Sequence, residues 1–180
     1  MRQLLALLLL TTAVQAQDIC PPVPDHRAER EAIIFDMIHA RDQTEAQFLS
    51  NQMWQLWTHA PDARAQGLLD DGMERRLAYD YAGSRAVLDD LVAYCPDYAE
   101  GFNQRAFAAF LAEDYAAALT DLDMALAIMP DHVAALSGKA LTLMGLGRHD
   151  EAQVVLREAL KLNPWLGERA LLVDPPGQEL

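Results

Sequence analysis

The chain has 180 residues, 52% of them apolar, and a formal charge of −13 set by 27 acidic against 14 basic side chains. That length supports one domain with a sizeable core, and that charge sets its surface against nucleic acid and anionic membrane while keeping it soluble. Alanine and leucine are abundant and β-branched residues scarce, a composition that favours helix.

The first sixteen residues read as a secretory signal peptide. Met1-Arg2 is a short basic start, Leu4 to Leu10 a compact apolar run, and Val14-Gln15-Ala16 a small-residue cleavage site before Gln17. The run is well short of the ~20 residues that span a bilayer, so no membrane insertion is expected after cleavage. Cys20 follows closely, but Gln17-Asp18-Ile19 lacks the small residue that a lipid-attachment site carries directly before its cysteine. The expectation is a soluble protein of a bacterial periplasm, or one secreted beyond it. The remaining cysteines are Cys20 and Cys95, an even count in a compartment that permits disulfides. A bridge between them would close a loop of about 75 residues and contribute about 4 kcal/mol in the chain-entropy model. Neither a CxxC nor a Cys/His pair at metal spacing occurs, so no metal or cofactor is expected.

From residue 17 onward the chain reads as helices with short breaks. Asp25 to Ala40 and Thr44 to Ala60 form a first hairpin, with Thr44 as N-cap and Phe48, Met53, Trp54 and Trp57 on its second helix. Asp62 caps a helix to about Ala82, Gly83-Ser84 breaks it, and Ser84 to Tyr94 follows. Asp97 starts a helix to about Ala112 and Tyr115 to Met129 returns. Asp131 starts another to about Leu146, Gly147 ends it, and Asp150 caps a helix to Leu162. Pro164-Trp165-Leu166 opens a short last helix whose apolar residues Trp165, Leu166, Leu171 and Leu172 cap the end, and residues 173–180 are expected to be disordered.

Proline recurs at Pro61, Pro96, Pro130 and Pro164, one step of 35 residues and two of 34, and aspartate follows each of the first three. A fixed period near 34 marks stacked helical hairpins. In the segment counted from Val133, Leu136, Ala140, Leu143, Gly147, Ala152, Leu156, Ala159 and Pro164 fall at set offsets. Phe102, Ala106, Tyr115, Ala118, Leu122, Ala125 and Pro130 repeat the pattern one unit earlier. These residues resemble the tetratricopeptide repeat. A unit from Ala65 matches with Leu68, Gly72, Tyr81, Leu88 and Pro96 but departs at Arg75, Ser84 and Leu91, and residues before it fit as a degenerate cap or fourth hairpin. The resemblance implies an all-α, right-handed superhelical stack of antiparallel hairpins. Its repeats span about 65–98, 99–132 and 133–166 within 62–172, after an N-terminal segment at 17–61. Asp71, Arg105 and Lys139 share one repeat offset, which would bring Asp71 beside Arg105.

Catalytic constellations are not evident. The five histidines form no HxxxH pair, and acidic pairs such as Asp70-Asp71 point to different helix faces. The tetratricopeptide resemblance implies instead that the first helix of each repeat lines a concave groove. On this chain that places Met73, Arg76, Asn103, Phe107, Phe110 and Leu141 as partner-binding residues, with Asn103 and Arg76 as polar handles on an apolar surface. Lys and Asn are not paired as in the family's carboxylate clamp, which argues against recognition of chaperone tails. In so short an array the N-terminal hairpin could also cover Phe107, Phe110 and Leu141. The expected function is an exported protein-interaction module, a scaffold or assembly factor for envelope proteins that holds a peptide or helix of another protein. The alternative is a small exported enzyme or ligand-binding protein on a helical frame.

Overall fold

The computed structural model describes residues 19–173; the expected signal peptide at 1–16 and most of the expected tail lie outside them. The described residues form eight α-helices, one 3-10 helix and no strand. They are α1 (Arg27–Ile38), α2 (Gln43–Trp57), α3 (Ala63–Leu77), α4 (Tyr81–Tyr94), α5 (Ala99–Leu111), α6 (Tyr115–Ile128), α7 (Val133–Gly145) and α8 (His149–Leu162). The 3-10 helix η1 is Gly167–Leu171.

The 34-residue period has a backbone cause at the hairpin turns. Tyr79, Glu113 and Gly147 adopt left-handed φ values of 63°, 60° and 73°. Each follows the C-cap of the first helix of a hairpin, and each turn closes the same way. Asp80, Asp114 and Arg148 donate their N–H groups back to the carbonyls of Arg75, Ala109 and Leu143, all at 2.9 Å. This six-to-one bond ends the helix and frees the chain to reverse. The next helix then starts on a side-chain cap where the sequence supplies one. Asp80 accepts from Gly83 N–H and Asp114 from Ala117 N–H, whereas Arg148 makes no such bond.

Several boundaries differ from the sequence reading. The break expected at Gly83-Ser84 lies at Ala78–Asp80, because Asp80 is the cap and Gly83 sits inside the first turn of α4. Asp42 rather than Thr44 caps α2, accepting from the N–H groups of Thr44 and Glu45. The aspartates after Pro96 and Pro130 lie one residue ahead of the N-caps Tyr98 and His132.

Within each hairpin, small residues let the helix axes approach. Ala106 and Ala118, and Ala140 and Ala152, are fully or almost fully buried. A Cβ on Gly72 would lie 2.6 Å from Leu88 Cγ. Ser84 replaces the usual small apolar residue without leaving its hydroxyl unpaired, since Oγ donates to Gly72 C=O at 2.7 Å. Leu69, Leu88 and Leu91 fill the seam inside the first repeat, and Phe102, Leu122 and Ala125 with Ala135 join the second to the third. The expected Asp71–Arg105 pair is not formed. Asp71 binds Arg75 one helical turn on, and Arg105 reaches Asp89 and Asp121 instead. Lys139 pairs with Asp123 at 2.7 Å, so the repeated ion pair runs from the second helix of one hairpin to the first helix of the next.

The N-terminal hairpin takes a different place from a leading cap. Instead of stacking ahead of α3, it crosses the concave side and packs at the opposite end. Met37, Ala46 and Leu49 cluster with Trp165, while Met53 and Trp57 cluster with Val133, Leu162 and Leu166. Leu49, Met53 and Trp57 recur every four residues and form one apolar stripe on α2. The groove supplies the apolar surface that this stripe meets. Trp165 and Leu166 accordingly seal this hairpin against the stack, and Leu171 and Leu172 remain partly exposed. Cys20 and Cys95 stand at disulfide geometry with Cα atoms 5.2 Å apart, holding the segment before α1 against the end of α4.

Candidate functional site

The concave face is lined by α3, α5 and α7, and α2 divides it. Its half nearer α1 is covered. Trp57 stacks on the His132 ring with centroids 4.3 Å apart, and Tyr98 O–H donates to the Trp57 carbonyl at 2.6 Å. Burial pushes the Tyr98 phenol far above its ordinary pKa, so it stays a donor.

Beneath Trp57 lies a buried polar network. Glu100 is 2% exposed and His132 fully buried. The Ala135 N–H donates to His132 Nδ1 at 3.3 Å, which leaves Nε2–H to donate to Glu100 Oε2 at 2.8 Å. Asn103 and Gln104 donate their side-chain amides to the same carboxylate. Asn103, expected as a free handle for a partner backbone, is therefore buried with its amide nitrogen engaged. Arg76 joins from α3, its Nη2 donating to Gln104 Oε1 at 3.4 Å and its guanidinium lying 4.3 Å above the Phe107 ring. Burial lowers the Arg76 pKa below the usual arginine value, and the nearby Glu100 charge opposes that shift.

Past this network the groove remains open as a cleft of about 310 Å³. Phe107, Phe110 and Leu141 line it with the Asn103 edge, and Trp54 of α2 and Leu166 close its far side. Phe107 is 43% exposed and Trp54 40%, large apolar side chains facing a shared concavity. Of the six expected groove residues, the structure brings Asn103, Phe107, Phe110 and Leu141 into this cleft. Arg76 reaches it only through its stack on Phe107, and Met73 turns into the core of the first repeat. Trp54, which the sequence placed on the second helix of the N-terminal hairpin, is a wall of the cleft. The sequence carried a signal for that, since Trp54 lies off the Leu49-Met53-Trp57 stripe. Glu100 and His132 were missed as a pair because they lie 32 positions apart and meet only through the repeat stacking. Among the described residues no group of His, Cys, Asp or Glu side chains is arranged to hold a metal ion.

A tetratricopeptide-repeat family model matches residues 109–164. A search of curated proteins finds no match. Solved structures of similar fold include the first TPR of Spaghetti (RPAP3) bound to an HSP90 peptide, at 21% identity and a TM-score of 0.59 over 60% of this chain and 86% of that one. The TPR2B domain of yeast Sti1 in a pHsp70 complex aligns at 20% identity and a TM-score of 0.57, covering 61% of this chain and 91% of that one. MamA aligns over a longer span, 82% of this chain and 79% of its own, at 16% identity and a TM-score of 0.51. At these identities the structural likeness shows the fold. Residues 109–164 thus carry the tetratricopeptide-repeat signature, and the described residues have the fold of tetratricopeptide-repeat domains.

Proposed function

We propose that this protein is an exported interaction module. It takes an apolar segment of another protein into the cleft bordered by Phe107, Phe110, Leu141 and Trp54, and serves as a scaffold or assembly factor for envelope proteins. The observation that carries the reading is the exposure of Phe107 and Trp54 on opposite walls of one concave cleft, where a stable monomer gains nothing by leaving them uncovered. Two of the structures of similar fold are complexes, one with an HSP90 peptide and one with pHsp70, which supports a protein or peptide as the occupant. The apolar walls suit an extended segment or one face of a helix. Export by residues 1–16, residence in the periplasm or beyond, and a Cys20–Cys95 bond formed there belong to the same proposal.

The test is a pair of substitutions, Phe107→Ala and Leu141→Ala, in the exported protein. A partner that co-purifies with the parent is expected to be lost from the double variant, with helicity retained. Undiminished partner capture by a folded double variant would contradict the assignment of the cleft. Asn103 is not a suitable probe, because its amide supports Glu100 and its removal disturbs the fold.

A further inference from the structure

We propose that a second cleft, where the starts of α1, α5 and α7 converge beside Trp57, is a binding site for a monocarboxylate with an apolar body. This inference is independent of the partner cleft and concerns the opposite side of α2. The cleft measures about 290 Å³. His26 and Arg27 of α1, Ala99 and Glu100 of α5, and His132 ahead of α7 all line it, so the positive ends of three helix dipoles face one space. The N-caps of α1 and α5, His26 and Tyr98, make no side-chain cap bond, although Asp25 accepts the first N–H of α1, that of Arg27.

Independent side-chain evidence points the same way. Trp57 lines the cleft at 8% exposure, and its Nε1–H is buried with no acceptor among the described residues. Arg30 Nε is likewise buried and unpartnered, although its Nη2 faces Asp131 at 3.4 Å. Both groups donate in every accessible charge state. His26 Nε2 is the third buried nitrogen without a partner. Buried donors are almost always satisfied, so the Trp57 and Arg30 N–H groups at one cleft mark the place of an acceptor.

Charge narrows the class. Asp25, Asp97 and Glu100 also line the cleft. Asp25 accepts the Arg27 N–H and Glu100 is held by Asn103, Gln104 and His132, so neither competes for the free donors, yet these two and Asp97 together repel a multiply charged ligand. A single carboxylate matches the donors at a smaller repulsive cost, offset by Arg27 and Arg30, and Val23, Pro24, Leu56 and Ile128 provide an apolar wall for its body.

The experiment follows the Trp57 indole N–H resonance of the intact protein while benzoate or hexanoate is added, with benzamide and inorganic phosphate as comparisons. A saturable downfield shift with at least one monocarboxylate, and weaker binding of benzamide and phosphate, is expected. Trp57→Phe keeps the stack on His132 but removes the donor, and should weaken binding about tenfold, as should Arg30→Gln, since a hydrogen bond to a charged group is lost. If Trp57→Phe fails to fold, Arg30→Gln and the benzoate–benzamide comparison still decide. No shift with either monocarboxylate, equal binding of benzamide, or unchanged affinity in the folded variants would overturn the proposal and leave water as the acceptor.

Discussion

Tyr79 and Glu113 occupy the left-handed turn position that Gly147 fills in the third repeat, and only glycine adopts that conformation without a Cβ penalty. Glu113→Gly is therefore expected to raise stability by about 0.5–1 kcal/mol, and Gly147→Ala to lower it by about 1 kcal/mol, both read from denaturant midpoints. A larger effect is expected at the Glu100 network. Glu100→Ala leaves the Asn103, Gln104 and His132 donors buried without an acceptor and should cost about 3–5 kcal/mol. At the surface, the Ala117 N–H and the Arg85 guanidinium hold the Asp114 carboxyl below its usual range. A depressed carboxyl contributes stability that is present above its unfolded pKa and lost as pH falls through the folded value. Asp114→Asn should thus lower stability at neutral pH and flatten the acid limb of the stability profile, with little change below the folded pKa, as read from melting temperatures across pH. The sequence already marked Ala106, Ala118, Ala140 and Ala152 as crossing residues by their type and spacing. It could not mark Glu100, because a glutamate in a first helix turn looks like an exposed dipole partner until His132 is brought over it.

At the scale of elements, the last two hairpins announce themselves because local turn chemistry and long-range packing share one period. The first repeat was misread at its turn: a tyrosine in the glycine position concealed the stop, and the true cap, Asp80, stands just ahead of the more conspicuous Gly83-Ser84. The α1–α2 hairpin was legible as two helices but not in its direction of packing. An apolar stripe reports that a face must be covered, not by what, and the short link from Thr58 to Asp62 permits the hairpin to lead the stack or to cross the groove. Trp57 is the largest side chain the hairpin sinks into the stack. Trp57→Ala should cost about 3–5 kcal/mol if the hairpin remains docked in the variant's folded state. Hydrogen exchange should show α2 losing protection before α5 and α6, and equal protection of all three helices in the variant would mean the anchor lies elsewhere.

For the whole molecule, a three-hairpin array needs both ends and part of its concave face closed, and the chain does this with its own N-terminal segment. The hairpin that shuts one part of the groove also builds the wall of what remains, so the surface offered to a partner is smaller than the repeat positions alone imply. Where the Cys20–Cys95 bond has formed, its reduction should lower stability by up to about 4 kcal/mol through the ~75-residue loop it closes, with helicity retained at low temperature. Unchanged melting after reduction would show that the segment before α1 is held by packing alone. The most direct measurement on the interaction cleft is site-specific photo-crosslinking of the full-length protein in cells, with the reactive group placed at Phe107 in the cleft or at exposed Val154 on α8 outside it. A discrete adduct with one other protein from position 107, absent from position 154 and lost on Leu141→Ala, is the predicted result. Adducts of equal yield at both positions, or crosslinks from 107 only within the chain, would contradict a partner site in this cleft.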